Sequence, residues 1–169
     1  RTVNDMERAI ESRCLSLILR QQPVASDLRQ VSTALKVVTD LERIGDHASD
    51  IAELILRIKS EHAYHIVKHL PVMAASANAM VHDAIEAFIN QDLDSAMEII
   101  ERDDEVDTLF NQVKDDVIHL LKSSPDQADQ GIDLLMVAKY LERIGDHAVN
   151  VCEWTQFSKT GALKNVRIM

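Results

Sequence analysis

Leu41-Glu42-Arg43-Ile44-Gly45-Asp46-His47-Ala48 returns letter for letter as Leu141-Glu142-Arg143-Ile144-Gly145-Asp146-His147-Ala148. Eight identical residues in a row, one hundred positions apart in a chain of 169, mark an internal duplication. Around both copies the apolar residues step by three and four, the period of an amphipathic helix. This repeat decides the fold: two helical units, each presenting one copy of the octapeptide.

Working outward, Leu28, Val31, Leu35 and Val38 lead into the first copy, and Ile51, Ile55 and Ile58 lead out of it. The spacing predicts one helix over 24–58, about 50 Å long. A rod of that length must lie beside other long helices to bury its stripe. Val3, Met6, Ile10, Cys14 and Leu17 predict a helix over 3–21. Gln21-Gln22-Pro23 ends it, and Pro23 can occupy the first turn of the next helix. Residues 59–68 blur the pattern and read as a connection with room for helical turns.

Pro71 opens a helix over 71–91, rich in small residues that permit close helix approach. Asn90-Gln91-Asp92 stops it, and Asp94 or Ser95 can cap its successor. A fourth helix is predicted over 95–122, a break at Ser123-Ser124-Pro125-Asp126, and a fifth helix over 127–156 carrying the second copy. Residues 158–169 are basic, contain Gly161 and read as a tail.

The duplication reaches beyond the octapeptide. Val106-Asp107 aligns with Val3-Asn4, Leu109 with Met6, and Leu120-Leu121 with Leu17-Ile18. The second unit has the helix 71–91 before its pair; the first has no counterpart, so a further helix is expected to precede Arg1. The expected division is 1–67 for the first repeat, 68–157 for the second and 158–169 for the tail.

Composition agrees with an all-α chain. Four Gly, three Pro and 4% aromatic residues, with 46% apolar residues, favour long helices over sheets. A net charge of -10 repels phosphate backbones and anionic lipid heads, which argues against nucleic acid or a membrane surface as partner. Cys14 and Cys152 make neither a disulfide framework nor a Cys-x-x-Cys motif, and read as buried thiols in a reducing cytosol. No apolar run approaches the roughly 20 residues of a spanning helix.

On a helical wheel, Leu41, Ile44, Gly45, Ala48, Ala52 and Ile55 form the buried stripe. Glu42, Asp46 and Asp50 fall on one line at i, i+4, i+8, and Glu142, Asp146 and Asn150 repeat it. Asp103, Asp107 and Asn111 make a second such line on the neighbouring helix; in the first unit only Asn4 matches it. Stacked carboxylates repel one another, and a bound cation removes the penalty. Facing Asp/Glu lines form an all-oxygen set suited to Mg, Mn, Fe or Ca. A single Glu-x-x-x-Asp is usually a solvated helix face; letter-for-letter duplication and a facing second line lift this one above that. Gly45 and Gly145, each costing about 1 kcal/mol in mid-helix, are explained by close approach of a neighbouring helix. His47 and His147 lie away from the carboxylate line and read as partly buried hydrogen-bonding residues. No nucleophile stands with a base and no Gly-rich phosphate loop is present, so no enzyme is read.

Gln21-Gln22-Pro23-Val24-Ala25-x-Asp27-Leu28-Arg29, with the two octapeptides continuing as Asp50-Ile51-Ala52-Glu53 and Asn150-Val151-Cys152-Glu153, resembles the PhoU family of bacterial phosphate-uptake regulators. The resemblance implies two pseudo-symmetric three-helix bundles, the first helix of the first bundle being absent here. It implies multinuclear metal sites (Fe, Mn, Mg or Zn), falling on Glu42, Asp46, Asp103, Asp107, Glu142 and Asp146. It also implies a cytoplasmic, often dimeric, non-enzymatic adaptor that restrains phosphate uptake and starvation signalling. Its implied partners are the ATPase subunit of the phosphate transporter and the phosphate-sensing histidine kinase. Two other readings compete: a metal-storage protein, and a PhoU-like regulatory domain of a larger sodium-phosphate transporter.

Overall fold

A computed structural model describes residues 2–59, 61–163 and 166–167. Among these the chain is all-α but for one small hairpin. Its elements are α1 (Thr2–Gln21), α2 (Ala25–Arg57), α3 (Glu61–Ile66), α4 (Leu70–Asn90), α5 (Leu93–Glu101) and α6 (Asp103–Ser123). A 3-10 turn (Pro125–Gln127), α7 (Ala128–Thr160), β1 (Ala162–Leu163) and β2 (Val166–Arg167) complete the order. The hairpin is antiparallel, with Ala162 opposite Arg167 and Leu163 opposite Val166.

The repeat is visible in the helix lengths. α1 and α2 have 20 and 33 residues; α6 and α7 have 21 and 33. α1 ends where Gln22 turns left-handed (φ 48°) and donates its N–H to the Ile18 carbonyl. Pro23 lies in the break itself, since α2 starts only at Ala25.

Three expectations need correction. The single helix over 95–122 is two helices, broken at Arg102. The apolar step that should fall at 103 is taken by Asp103, and Asp103, Asp104 and Glu105 crowd the first turn of α6, where a helix N-terminus favours anions. The cap of α5 is Asp92, not Asp94 or Ser95: its carboxylate accepts the N–H of Asp94 (3.1 Å) and of Ser95 (3.2 Å). The expected tail starts later than Ser158. Phe157 and Ser158 are buried, so α7 runs on to Thr160, where Gly161 (φ 73°) donates its N–H to the Phe157 carbonyl.

The chain gathers into two compact units, each drawing on both repeats. The first comprises Arg1–Gly45, His82–Glu101 and His147–Met169; the second comprises Asp46–Val81 and Arg102–Asp146. The division expected at 67/68 follows the sequence repeat, whereas α2, α4 and α7 each contribute to both units. In the first unit Val37 and Val38 of α2, Ala84 and Ala87 of α4, Ala96 and Ile99 of α5 and Val151 of α7 are buried. Ser158 Oγ donates there to Gln91 Oε1 (3.2 Å). In the second unit Met73 and Met80 of α4, Val113 and Leu120 of α6 and Leu134 of α7 form the core. Asp116 of α6 accepts the backbone N–H and Nδ1 of His69 at the entrance to α4 (3.1 and 2.8 Å).

The two octapeptides are buried unequally, another correction. Leu141, Ile144 and Ala148 are buried, whereas Ala48, Ala52 and Ile55 are exposed. The second repeat supplies three long helices, α4, α6 and α7; the first supplies α1 and α2, and α1 has no buried residue.

Candidate functional site

The second octapeptide sits within reach of α6. A methyl group on Gly145 would stand 3.4 Å from Asp103 Oδ1 and 3.6 Å from Val106 Cγ1. At the first copy, a methyl group on Gly45 would stand 3.3 Å from Val3 Cγ1. Val3 and Val106 are the residues that the repeat aligns, so each mid-helix glycine faces the equivalent valine of its partner helix.

This approach gathers four carboxylates in the second unit: Asp103 and Asp107 from α6, Glu142 and Asp146 from α7. Their mutual influence is direct. Burial, then the charges of Asp107, Asp146, Asp104 and Glu142, push the Asp103 carboxyl up from 3.8 to about 6. Burial and then Glu142 also raise Asp146, against the opposing charges of Arg143 and Lys139. Two cations face the cluster. Lys139 Nζ bonds Glu142 and stands 5.4 Å from the centre of the Phe110 ring; Arg143 lies 3.5 Å from Asp146.

The donors fit a hard cation in kind. They are oxygen ligands only, and their charges add to burial in raising Asp103. Their side chains are not closed around a point: among the described residues no three His, Cys, Asp or Glu groups are poised to hold an ion.

At the first copy Glu42 accepts a hydrogen bond from Asn4 Nδ2 (3.0 Å), with Arg43 Nε at 3.8 Å. This is the place that Asp107 takes in the second repeat. Asp46 is half-buried. The third member of each line turns elsewhere. His47 approaches Asp50 at 3.8 Å, Asn150 donates to Asp40 (3.0 Å), and Asn111 donates to its own helix at the Asp107 carbonyl (3.0 Å).

The histidines are partly buried polar residues. His147 Nδ1 lies 2.8 Å from Asp40 Oδ1, the oxygen that Asn150 also contacts. His47 stacks on Tyr140, ring centres 5.4 Å apart. Asp40 and Tyr140 each immediately precede an octapeptide, so each histidine meets the residue ahead of the other copy. Sequence reasoning placed Phe110 on the inward stripe of its helix and passed over Asp40, Tyr140 and Lys139, whose signal lay in the divergent positions just before each copy.

Among the described residues no helix is long and apolar enough to cross a membrane. A family model described as the PhoU domain matches residues 1–55 and 70–155. The chain is 42% identical over 160 residues to the phosphate-specific transport system accessory protein PhoU homolog of Clostridium acetobutylicum, covering 94% of this chain and 73% of that one. It is 33% identical to PhoU homolog 1 of Thermotoga maritima, covering 98% and 71%. Its fold is similar to the crystal structure of PhoU from Pseudomonas aeruginosa (TM-score 0.86, 32% identity, 95% and 78% covered). It is likewise similar to the phosphate transport system regulatory protein PhoU from Streptococcus pneumoniae (TM-score 0.84, 30% identity, 96% and 76% covered).

Proposed function

We propose, from the premise that this chain belongs to the PhoU family, a cation-responsive regulator of phosphate transport. A role in regulating phosphate transport goes with the family. The finer reading is a non-enzymatic, cytoplasmic negative regulator. It acts as an adaptor between the transporter's ATPase subunit and a phosphate-sensing histidine kinase, and works as a homodimer whose two repeats are 1–67 and 68–157. What supports it is a fold made of long helical faces, an acidic surface suited to basic protein partners, and arginines such as Arg43, 59% exposed, displayed beside the octapeptide.

The observation that carries the cation reading is the cluster of Asp103, Asp107, Glu142 and Asp146, carboxylates brought together from α6 and α7, where burial and then the neighbouring charges raise Asp103 to about 6. These four would hold a hard metal ion, and Glu42 with Asp46 would contribute at the first copy. Bound, such an ion supplies positive charge that relieves the repulsion between α6 and α7. The chain's own part is to bring the two helices close enough, through Gly145 against Val106, for both carboxylate lines to share one region. The same cluster supports a second reading, in which holding metal is itself the function.

The test is complementation. Bacteria lacking their own protein of this family receive the full chain, and phosphate uptake and a starvation-induced reporter are measured in high phosphate. The adaptor reading expects both to be repressed, with the ATPase subunit and the kinase captured on the chain. Full derepression with the folded chain present, and capture of neither, would sink it. Repression that survives in cells carrying Asp103→Asn with Asp146→Asn would separate regulation from the carboxylate cluster.

A further inference from the structure

The two octapeptides are identical, but the residues two positions ahead of them are not. Lys139 precedes the second copy and Thr39 the first. Lys139 is held on two sides: its Nζ bonds Glu142 Oε2 and lies over the Phe110 ring at 5.4 Å. Its partner carboxylate is largely sheltered, at 18% exposure, and the lysine side chain itself is 39% exposed. Thr39 instead returns its hydroxyl to the Leu35 carbonyl of its own helix (3.1 Å), and Glu42 accepts the amide of Asn4 with Arg43 Nε at 3.8 Å.

We propose that Lys139 is a tethered counter-ion of the carboxylate cluster on α6 and α7, and that a hard divalent cation binds there only by displacing its ammonium from Glu142. This rests on the cation reading given above. An ammonium seated among carboxylates is a cation in place. It carries one charge and three donors on a flexible stem, so it neutralises Glu142 without bridging the two helices. A divalent ion carries twice the charge and can join carboxylates of both helices. The Phe110 face gives the ammonium a fixed seat. Lys139 therefore sets the cation concentration at which the second copy loads.

The experiment uses the full chain, stripped with chelator, and Mn2+ alone as probe. Binding is followed by calorimetry and by the electron paramagnetic resonance of free Mn2+, at fixed ionic strength and with helicity checked by circular dichroism. Wild type, Lys139→Met, Lys139→Arg and Asp146→Ala are compared. Removing one charge at close range at a partly exposed site is expected to tighten one site about tenfold in Lys139→Met. Lys139→Arg, which keeps the charge, should match wild type, and Asp146→Ala should lose that site. Binding by Lys139→Met where wild type binds none supports the proposal most strongly. Equal affinity of wild type and Lys139→Met, with loss in Asp146→Ala, overturns it and leaves the cation reading standing. No Mn2+ bound by wild type or Lys139→Met overturns both.

Discussion

Asp103→Asn tests whether Asp103 sits in a place, half-buried among other carboxylates, that disfavours its charge. In the folded chain Asp103 faces Asp107, Asp146, Asp104 and Glu142, and its carboxyl is raised from 3.8 to about 6, burial being the largest cause. A rise of that size corresponds to at most about 3 kcal/mol. Asp103 is partly open to solvent, and screening reduces the figure to roughly 1 kcal/mol. For a carboxyl raised by folding, the associated stability is complete below its ordinary value and is lost as pH rises through the folded one. Asparagine does not titrate, so the variant avoids that loss. In urea unfolding with chelator present, Asp103→Asn should be more stable than wild type by roughly 1 kcal/mol at pH 7.5. The difference should shrink between about pH 6 and pH 4 and vanish below. A variant no more stable at pH 7.5, or a difference unchanged at pH 4, would refute the reasoning.

Three further perturbations address the fold. Leu120→Ala, at a fully buried position of α6, should cost about 2–5 kcal/mol in chemical unfolding, whereas Leu19→Ala, 79% exposed on α1, should stay within about 0.5 kcal/mol. Gly145→Ala places a methyl group at ordinary contact distance from Asp103 and Val106, so the helix gain of up to about 1 kcal/mol should show as a slightly raised melting temperature; a clear loss of stability would contradict this. Asp92→Ala removes the cap of α5 and should lower the melting temperature at neutral pH. Hydrogen bonds from Ser95, side chain then backbone, hold the Asp92 carboxyl below its usual range, so that contribution should fade as pH falls through the lowered value.

The long helices were legible because their apolar stripes keep one period for many turns. Their ends were legible where chemistry is strong, at Pro23 and at Ser123-Ser124-Pro125. The break at Arg102 was not, because it contains neither Gly nor Pro and its cause is a carboxylate at a stripe position. The end of α7 was also misjudged: Ser158 looks polar, but its hydroxyl is matched by Gln91 from another helix. Of the site, pairing Glu142-Asp146 with Asp103-Asp107 followed from the repeat, and the structure brings those four together. Lys139 and Glu142 stand at i, i+3 on α7, a pair that the spacing offered; that Lys139 lies over Phe110, or that Asp40 meets His147, did not follow, since those contacts depend on which helices face each other. The unequal burial of the two copies was equally invisible, because eight identical letters carry no record of their neighbours.

Whether the duplicated octapeptide, with its facing carboxylates, holds cations is read most directly by elemental analysis of the purified full chain beside Asp46→Ala and Asp146→Ala, each checked for helicity. Metal should be retained by the wild-type chain and a share lost in each variant while the helices remain. A chain that retains no metal at physiological ion levels, in wild type and variants alike, would contradict the cation reading.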